Sequence, residues 1–205
     1  MAGWIRQRPA GVWSLEAMQD LLQTDAARRL ARAYAGLMRA ANPPGIPAKN
    51  GLDLTEFAAI MPHLVLCAID RSDRCVYRLA GEAVQQRIGF NPVGRNYYDF
   101  VPSARRETAR RAMAMTVEQP CGFRALVAQH YSDGRDRVIE CLAVPLTALE
   151  SGVQGFILFS DSEVGRAPPL ARAGTLLGAE IARRDLIDLG YGVDDTFEDV
   201  LRSAV

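Results

Sequence analysis

The sequence predicts an α+β fold, a five-stranded antiparallel sheet with a helix cluster on one face, preceded by a long helix and followed by a helical, acidic tail. Three observations carry that prediction. Two strand-like runs, Leu64 to Ile69 and Cys75 to Leu79, flank the turn residues D-R-S-D; two amphipathic stretches of helical period follow; three further strand-like runs close the pattern. At 205 residues the chain holds one domain with flanking elements and can bury a real core, whereas two domains would be cramped.

From Ser14 to Ala41 the apolar residues Leu15, Met18, Leu22, Ala26, Leu30, Ala33, Leu37 and Ala41 recur at steps of three and four, one face of a helix. Ser14 is placed to cap it and N-P-P-G at 42–45 stops it. This stripe either packs on the chain's own sheet or forms a dimer seam. Its length favours the seam, with Leu15, Met18, Leu22, Leu30 and Leu37 as interface residues of a homodimer.

A Pro/Gly-rich linker reaches Gly51, so residues 1–51 form an extension and the core domain is expected over 52–162. Asp53 and Glu56 have capping-box spacing ahead of a short helix ended by Pro62. Glu82 to Ile88 reads as a helix stopped by Gly89, and Ser103 to Val117 as a longer one. The later strands are Phe123 to Tyr131, Arg137 to Leu146 and Val153 to Ser160, the first two joined by S-D-G-R. Apolar residues occupy both parities in Val138 to Val144, so both sheet faces should be covered. In the remainder, 163–205, Leu170, Leu176, Leu177, Ile181, Leu186 and Ile187 suggest one helix, followed by an acidic end that is either a solvated tail or a docking segment with Phe197, Val200 and Leu201 as anchors.

Lysines plus arginines equal aspartates plus glutamates at 24 each, so no overall field draws the chain toward nucleic acid or an anionic membrane, and neither is expected as a partner. No run of about 18 apolar residues is present, and a cytoplasmic location is expected. The four cysteines, Cys67, Cys75, Cys121 and Cys141, stand singly in apolar stretches without the spacing of a metal or redox site.

The order of two strands, a helix cluster and three strands, with R-L-A-G-E at 78–82, G-x-x-x-x-G-R at 89–95 and D-F-V-P at 99–102, resembles the PAS family, in particular the stand-alone PAS proteins of alphaproteobacteria. The resemblance covers Leu52 to Asp161. It implies a sensory or docking module, whose output passes through contact with a separate signalling protein or through oligomer state. It also implies where a small molecule would sit, between the helix cluster and the inner sheet face. Arg78, Tyr97, Tyr98 and His130 are the residues expected to line or gate that cavity, the arginine for a carboxylate or phosphate and the tyrosines as aromatic walls with a hydroxyl handle. The alternatives are an ion pair of Arg78 with Glu82, a core place for one of the adjacent tyrosines and a strand-end surface place for His130.

Two known PAS chemistries are not expected. A flavin photosensor of the LOV type needs a cysteine after G-R-N, where this chain has Tyr97. A haem sensor often draws its histidine from the long helix, and Ser103 to Val117 contains none. Nor is an enzyme expected: G-x-S-x-G, H-E-x-x-H and P-loop patterns are all missing, and Gly89 to Gly94 lacks the Lys-Ser/Thr of a phosphate loop. The chain therefore reads as a ligand-responsive sensor or, as the alternative, a ligand-free adaptor.

Overall fold

The computed structural model describes residues 11–41, 44–72, 74–165 and 174–193. Its strands are β1 (Val12–Ser14), β2 (Leu64–Asp70), β3 (Cys75–Ala80), β4 (Cys121–Tyr131), β5 (Asp136–Thr147), β6 (Val153–Glu163) and β7 (Leu176–Asp188). The helices are α1 (Leu15–Gln19), α2 (Asp25–Ala40), α3 (Glu82–Ile88) and α4 (Arg106–Glu118), with 3₁₀ segments at Leu54–His63 and Tyr97–Phe100. All seven strands form one sheet in the order β1-β7-β4-β5-β6-β2-β3. Every pairing is antiparallel except that of β1 with β7.

Strands β2 to β6 are the five that the sequence marks, and they lie together as β4-β5-β6-β2-β3. With α3, the 97–100 turn and α4 inserted between β3 and β4, this is the order of two strands, a helix cluster and three strands that the sequence predicts. The hairpin β2–β3 closes on Asp70, whose carboxylate accepts from the Ser72 and Arg74 amides at 2.9 and 3.0 Å. Gly89 ends α3 in the left-handed region at φ 85°, a conformation that costs glycine nothing.

The C-terminal segment departs from expectation. Residues 176–188, read as a helix, are instead β7, paired with β4 from Cys121↔Asp188 to Tyr131↔Leu176. The sheet thus runs beyond the expected domain end at 162. The local leucines and alanines favour a helix, but β4 is 11 residues long and without a neighbour would leave one ladder of amides and carbonyls unpaired. Strand β1 then covers part of the β7 edge in parallel register, Val12↔Leu186 to Ser14↔Asp188. The acidic end and its anchors Phe197, Val200 and Leu201 lie outside the described residues.

The N-terminal helix is also two helices rather than one. Ser14 caps α1 by accepting from the Ala17 amide, and Thr24 caps α2 by accepting from Ala27. Between them the Gln23 and Thr24 amides donate to the carboxylate of Glu140 on β5 at 2.9 and 2.7 Å, instead of continuing a helical ladder. Glu140 is fully buried and also takes Arg124 Nε at 2.7 Å. Arg124 in turn reaches Asp185 at 3.1 Å, and Asp185 receives two hydrogen bonds from Arg183 at 2.7 Å each. This buried charged cluster anchors the helices to the outer face of the sheet.

Both faces are covered, as the double parity of apolar residues indicates. On the outer face Met18, Leu22, Leu30, Ala31 and Tyr34 pack with Leu142, Val144, Leu146, Phe156 and Leu158. The proposed dimer seam is therefore corrected: Leu15, Met18, Leu22 and Leu30 are core residues of this chain, and Leu37 packs partly buried beside them. Breaking the helix at Asp20 to Thr24 lets a stripe too long for one straight helix fold back across its own sheet. On the inner face α3, α4 and the 97–100 turn bring Val84, Tyr98, Ala112 and Met113 against Val65, Cys67, Phe123, Ala125 and Ile157.

Candidate functional site

The inner face does not pack solid. Between α3, α4, the 97–102 segment and strands β2 to β7 lies a cavity of about 270 Å³, concave and lined mainly by apolar and aromatic side chains, the kind of space that small ligands occupy.

Local sequence explains how its aromatic wall is placed. Gly94 adopts φ 84°, turning the chain so that its amide donates to the Tyr77 carbonyl at 2.9 Å while the Tyr77 amide donates to Arg95 at 3.1 Å. Asn96 then pins the segment to the sheet edge, its Oδ1 accepting from the Cys75 amide at 3.1 Å. The next two residues consequently point different ways. Tyr97 lines the cavity with Tyr77, ring centroids 6.2 Å apart, whereas Tyr98 enters the core with 2% exposure and lies under the Arg110 guanidinium at 5.5 Å. Burial raises the ionisation of both cavity phenols well above the ordinary tyrosine value; at Tyr97 the Arg184 charge opposes that rise. Both rings are neutral hydroxyl-bearing walls.

Of the four residues expected to form the site, Tyr97 alone is in it. Tyr98 is core. Arg78 is exposed on β3, because the cavity-facing parity of that strand belongs to Tyr77. His130 is half exposed at the far end of β4, where its Nδ1 pairs with Asp136 at 2.8 Å. That pairing raises its ionisation above the ordinary histidine value, against an opposing desolvation effect.

The structure adds charged residues that the sequence reading missed. Arg87 of α3 is buried beside the cavity and forms an ion pair with Asp161 of β6. Arg184 of β7 is 5% exposed, also lines the cavity, and lies over the Phe123 ring at 5.5 Å. Its Nε and Nη1 are buried and have no hydrogen-bond partner among the described residues. Burial lowers its ionisation from the ordinary arginine value, the nearby Tyr97 works the other way, and the like charge of Arg105 lowers it further. In register Arg184 faces Ala125, so alternation sends its side chain inward while Arg183 and Asp185 join the outer cluster. The signal that could have found it is strand alternation, which a helical reading of this segment hides.

Two thiols, Cys67 and Cys141, also line the cavity. Burial drives both well above the ordinary thiol value, with Cys75 adding to the effect at Cys67 and the Asp161 charge at Cys141. They are protonated, weak nucleophiles. The position at which a LOV-type thiol would stand is the ring of Tyr97, and among the described residues the cavity wall holds no histidine.

No family model matches this chain, and no curated protein matches it. Among solved structures it is similar to VqmA of Vibrio cholera in a ligand–DNA complex, at 20% identity and TM-score 0.39 over 56% of this chain and 52% of that one. It is also similar to VqmA bound to DPO, at 17% identity and TM-score 0.40 over 55% of this chain and 58% of that one. A fungal LOV domain photoreceptor aligns at 20% identity and TM-score 0.39, over 64% of this chain and 90% of that one. The match spans little more than half of the VqmA chains. The expectation that nucleic acid is no partner is corrected here, since these neighbours include a protein–DNA complex and an RNA-binding light-oxygen-voltage receptor. Among the described residues no helix is long and apolar enough to cross a membrane.

Proposed function

We propose that this protein is a sensory binding module that holds a small, mainly apolar molecule in the inner-face cavity and signals through contact with a separate protein. The observation that carries the reading is the cavity itself. Native interiors are packed to crystal-like density, so a space of about 270 Å³ walled by two tyrosines, Phe123, Met113 and Ile181 forgoes contacts that a bound molecule would restore. The chain acts by binding rather than by catalysis: its cavity thiols are protonated, and its cavity carboxylate Asp161 is held by Arg87.

Native mass spectrometry of freshly purified protein, followed by denaturation and analysis of the released material, tests the proposal. One small molecule per chain, lost in an Ala125→Trp variant that fills the cavity, is the expected result. Empty wild-type protein whose melting temperature no metabolite extract raises would overturn it in favour of a ligand-free adaptor.

A further inference from the structure

Arg184 is an expensive residue to leave as it stands. A guanidinium stays charged at any ordinary pH, and burying a charge without a partner is strongly unfavourable in proteins. The other buried cations of this domain illustrate the usual solution: Arg87 has Asp161, Arg124 has Glu140 and Asp185, and Arg137 has Glu163 at 3.0 Å. Arg184 sits in the wall of the cavity with Nε and Nη1 unused among the described residues and only an aromatic face beside it.

Its surroundings reinforce the imbalance. Arg105 also lines the cavity, and its like charge acts on Arg184. Asp161 is neutralised by Arg87. Glu180, one side of which reaches the cavity lining, has its side chain 64% exposed to water, and it lies 3.9 Å from His130. The cavity therefore offers a net positive end and an apolar, aromatic body.

We propose that the ligand is a monocarboxylate with an aromatic or alicyclic body, its carboxylate held by Arg184 and its ring seated among Tyr77, Tyr97, Phe123 and Ile181. A planar guanidinium with free N–H donors matches a carboxylate in shape and charge. A monoanion balances one unpaired cation, whereas a phosphate dianion would bring a second charge into a largely apolar space at a high desolvation cost. This inference rests on the reading of the cavity as a small-molecule site and specifies its chemistry.

The test is isothermal titration of the full chain with three probes that share one ring system: 1-naphthaleneacetate, its uncharged isostere 1-naphthaleneacetamide, and 1-naphthyl phosphate. The expected result is that wild type binds the carboxylate at least tenfold more tightly than the amide. In Arg184→Met the preference falls below about threefold, and in Arg184→Lys, which keeps the charge without the fork, it is intermediate. The wild-type comparison stands even if Arg184→Met fails to fold. Equal affinity for carboxylate and amide, or a preference that Arg184→Met leaves intact, would overturn the role of Arg184 while leaving the cavity as a binding site. Tighter binding of the phosphate would overturn the carboxylate class. Failure of all three probes to bind at millimolar concentration would remove the cavity reading itself.

Discussion

Thr24 gives both its backbone amide and its hydroxyl to one oxygen of Glu140, at 2.7 and 2.9 Å, across 116 residues of sequence. The carboxylate thereby fixes the residue that caps α2, and it ties the helix to the middle of the sheet. Glu140→Gln keeps the shape but leaves Arg124 short of a counter-charge, so the expected loss is about 3–5 kcal/mol, the usual cost of breaking a buried pair from one side. Thr24→Ala should cost about 1 kcal/mol, as a lost cap does. Guanidinium unfolding monitored by circular dichroism measures both.

Leu30 is fully buried under α2. Leu30→Glu is therefore expected to abolish the cooperative unfolding transition, because a carboxylate would be forced into an apolar core. A folded variant whose mass by light scattering is half that of wild type would show instead that the face is an intersubunit seam.

Gly81, which precedes α3, has no room for a side chain: an added Cβ would overlap the carbonyls of Met61 and Pro62. These are backbone atoms and cannot rotate away. Gly81→Ala is expected to destabilise the fold by about 1–3 kcal/mol, whereas Gly36→Ala, on α2 with nothing near its Cβ, should be neutral or stabilising by up to about 1 kcal/mol. Paired thermal melts decide the contrast.

His130 supplies a pH dependence of known sign. Its hydrogen bond to the Asp136 carboxylate raises the folded-state value above the ordinary 6.5. The contribution to stability is fully present below the unfolded value and is lost as pH rises through the folded one. NMR titration of the imidazole should show the raised midpoint, and Asp136→Asn should move it back toward the ordinary histidine range.

Much of this fold is legible in the sequence because the determining contacts are local. The β2–β3 hairpin announces itself through D-R-S-D, and α3 through Gly89 at its end. The break between α1 and α2 is not legible, since Asp20 to Gln23 carry no strong helix breaker and the acceptor that opens the ladder is Glu140 on β5. Strand β7 is hidden for the same reason, the open edge of β4 overriding the helical tendency of its leucines and alanines. The site suffers most from this. Tyr97 was reachable because G-R-N fixes the turn ahead of it, but Arg184 and Arg183 are indistinguishable as neighbours in a string, and strand parity alone sends one to the cavity and the other to the outer cluster.

The placement of Arg184 on β7 has a consequence for the order in which the molecule matures. The walls contributed by β2 to β6 and the helices precede it in the chain, yet the charged end of the site comes, with Ile181, from the last described strand to be synthesised, and domains take shape as the chain emerges. A folding intermediate with β2 to β6 in place would form most of the apolar wall of the cavity but lack its β7 side, Ile181 and Arg184 together. Anion recognition would arrive late, with the zippering of β7 along β4, and a carboxylate that binds only the finished sheet would hold that final strand in place.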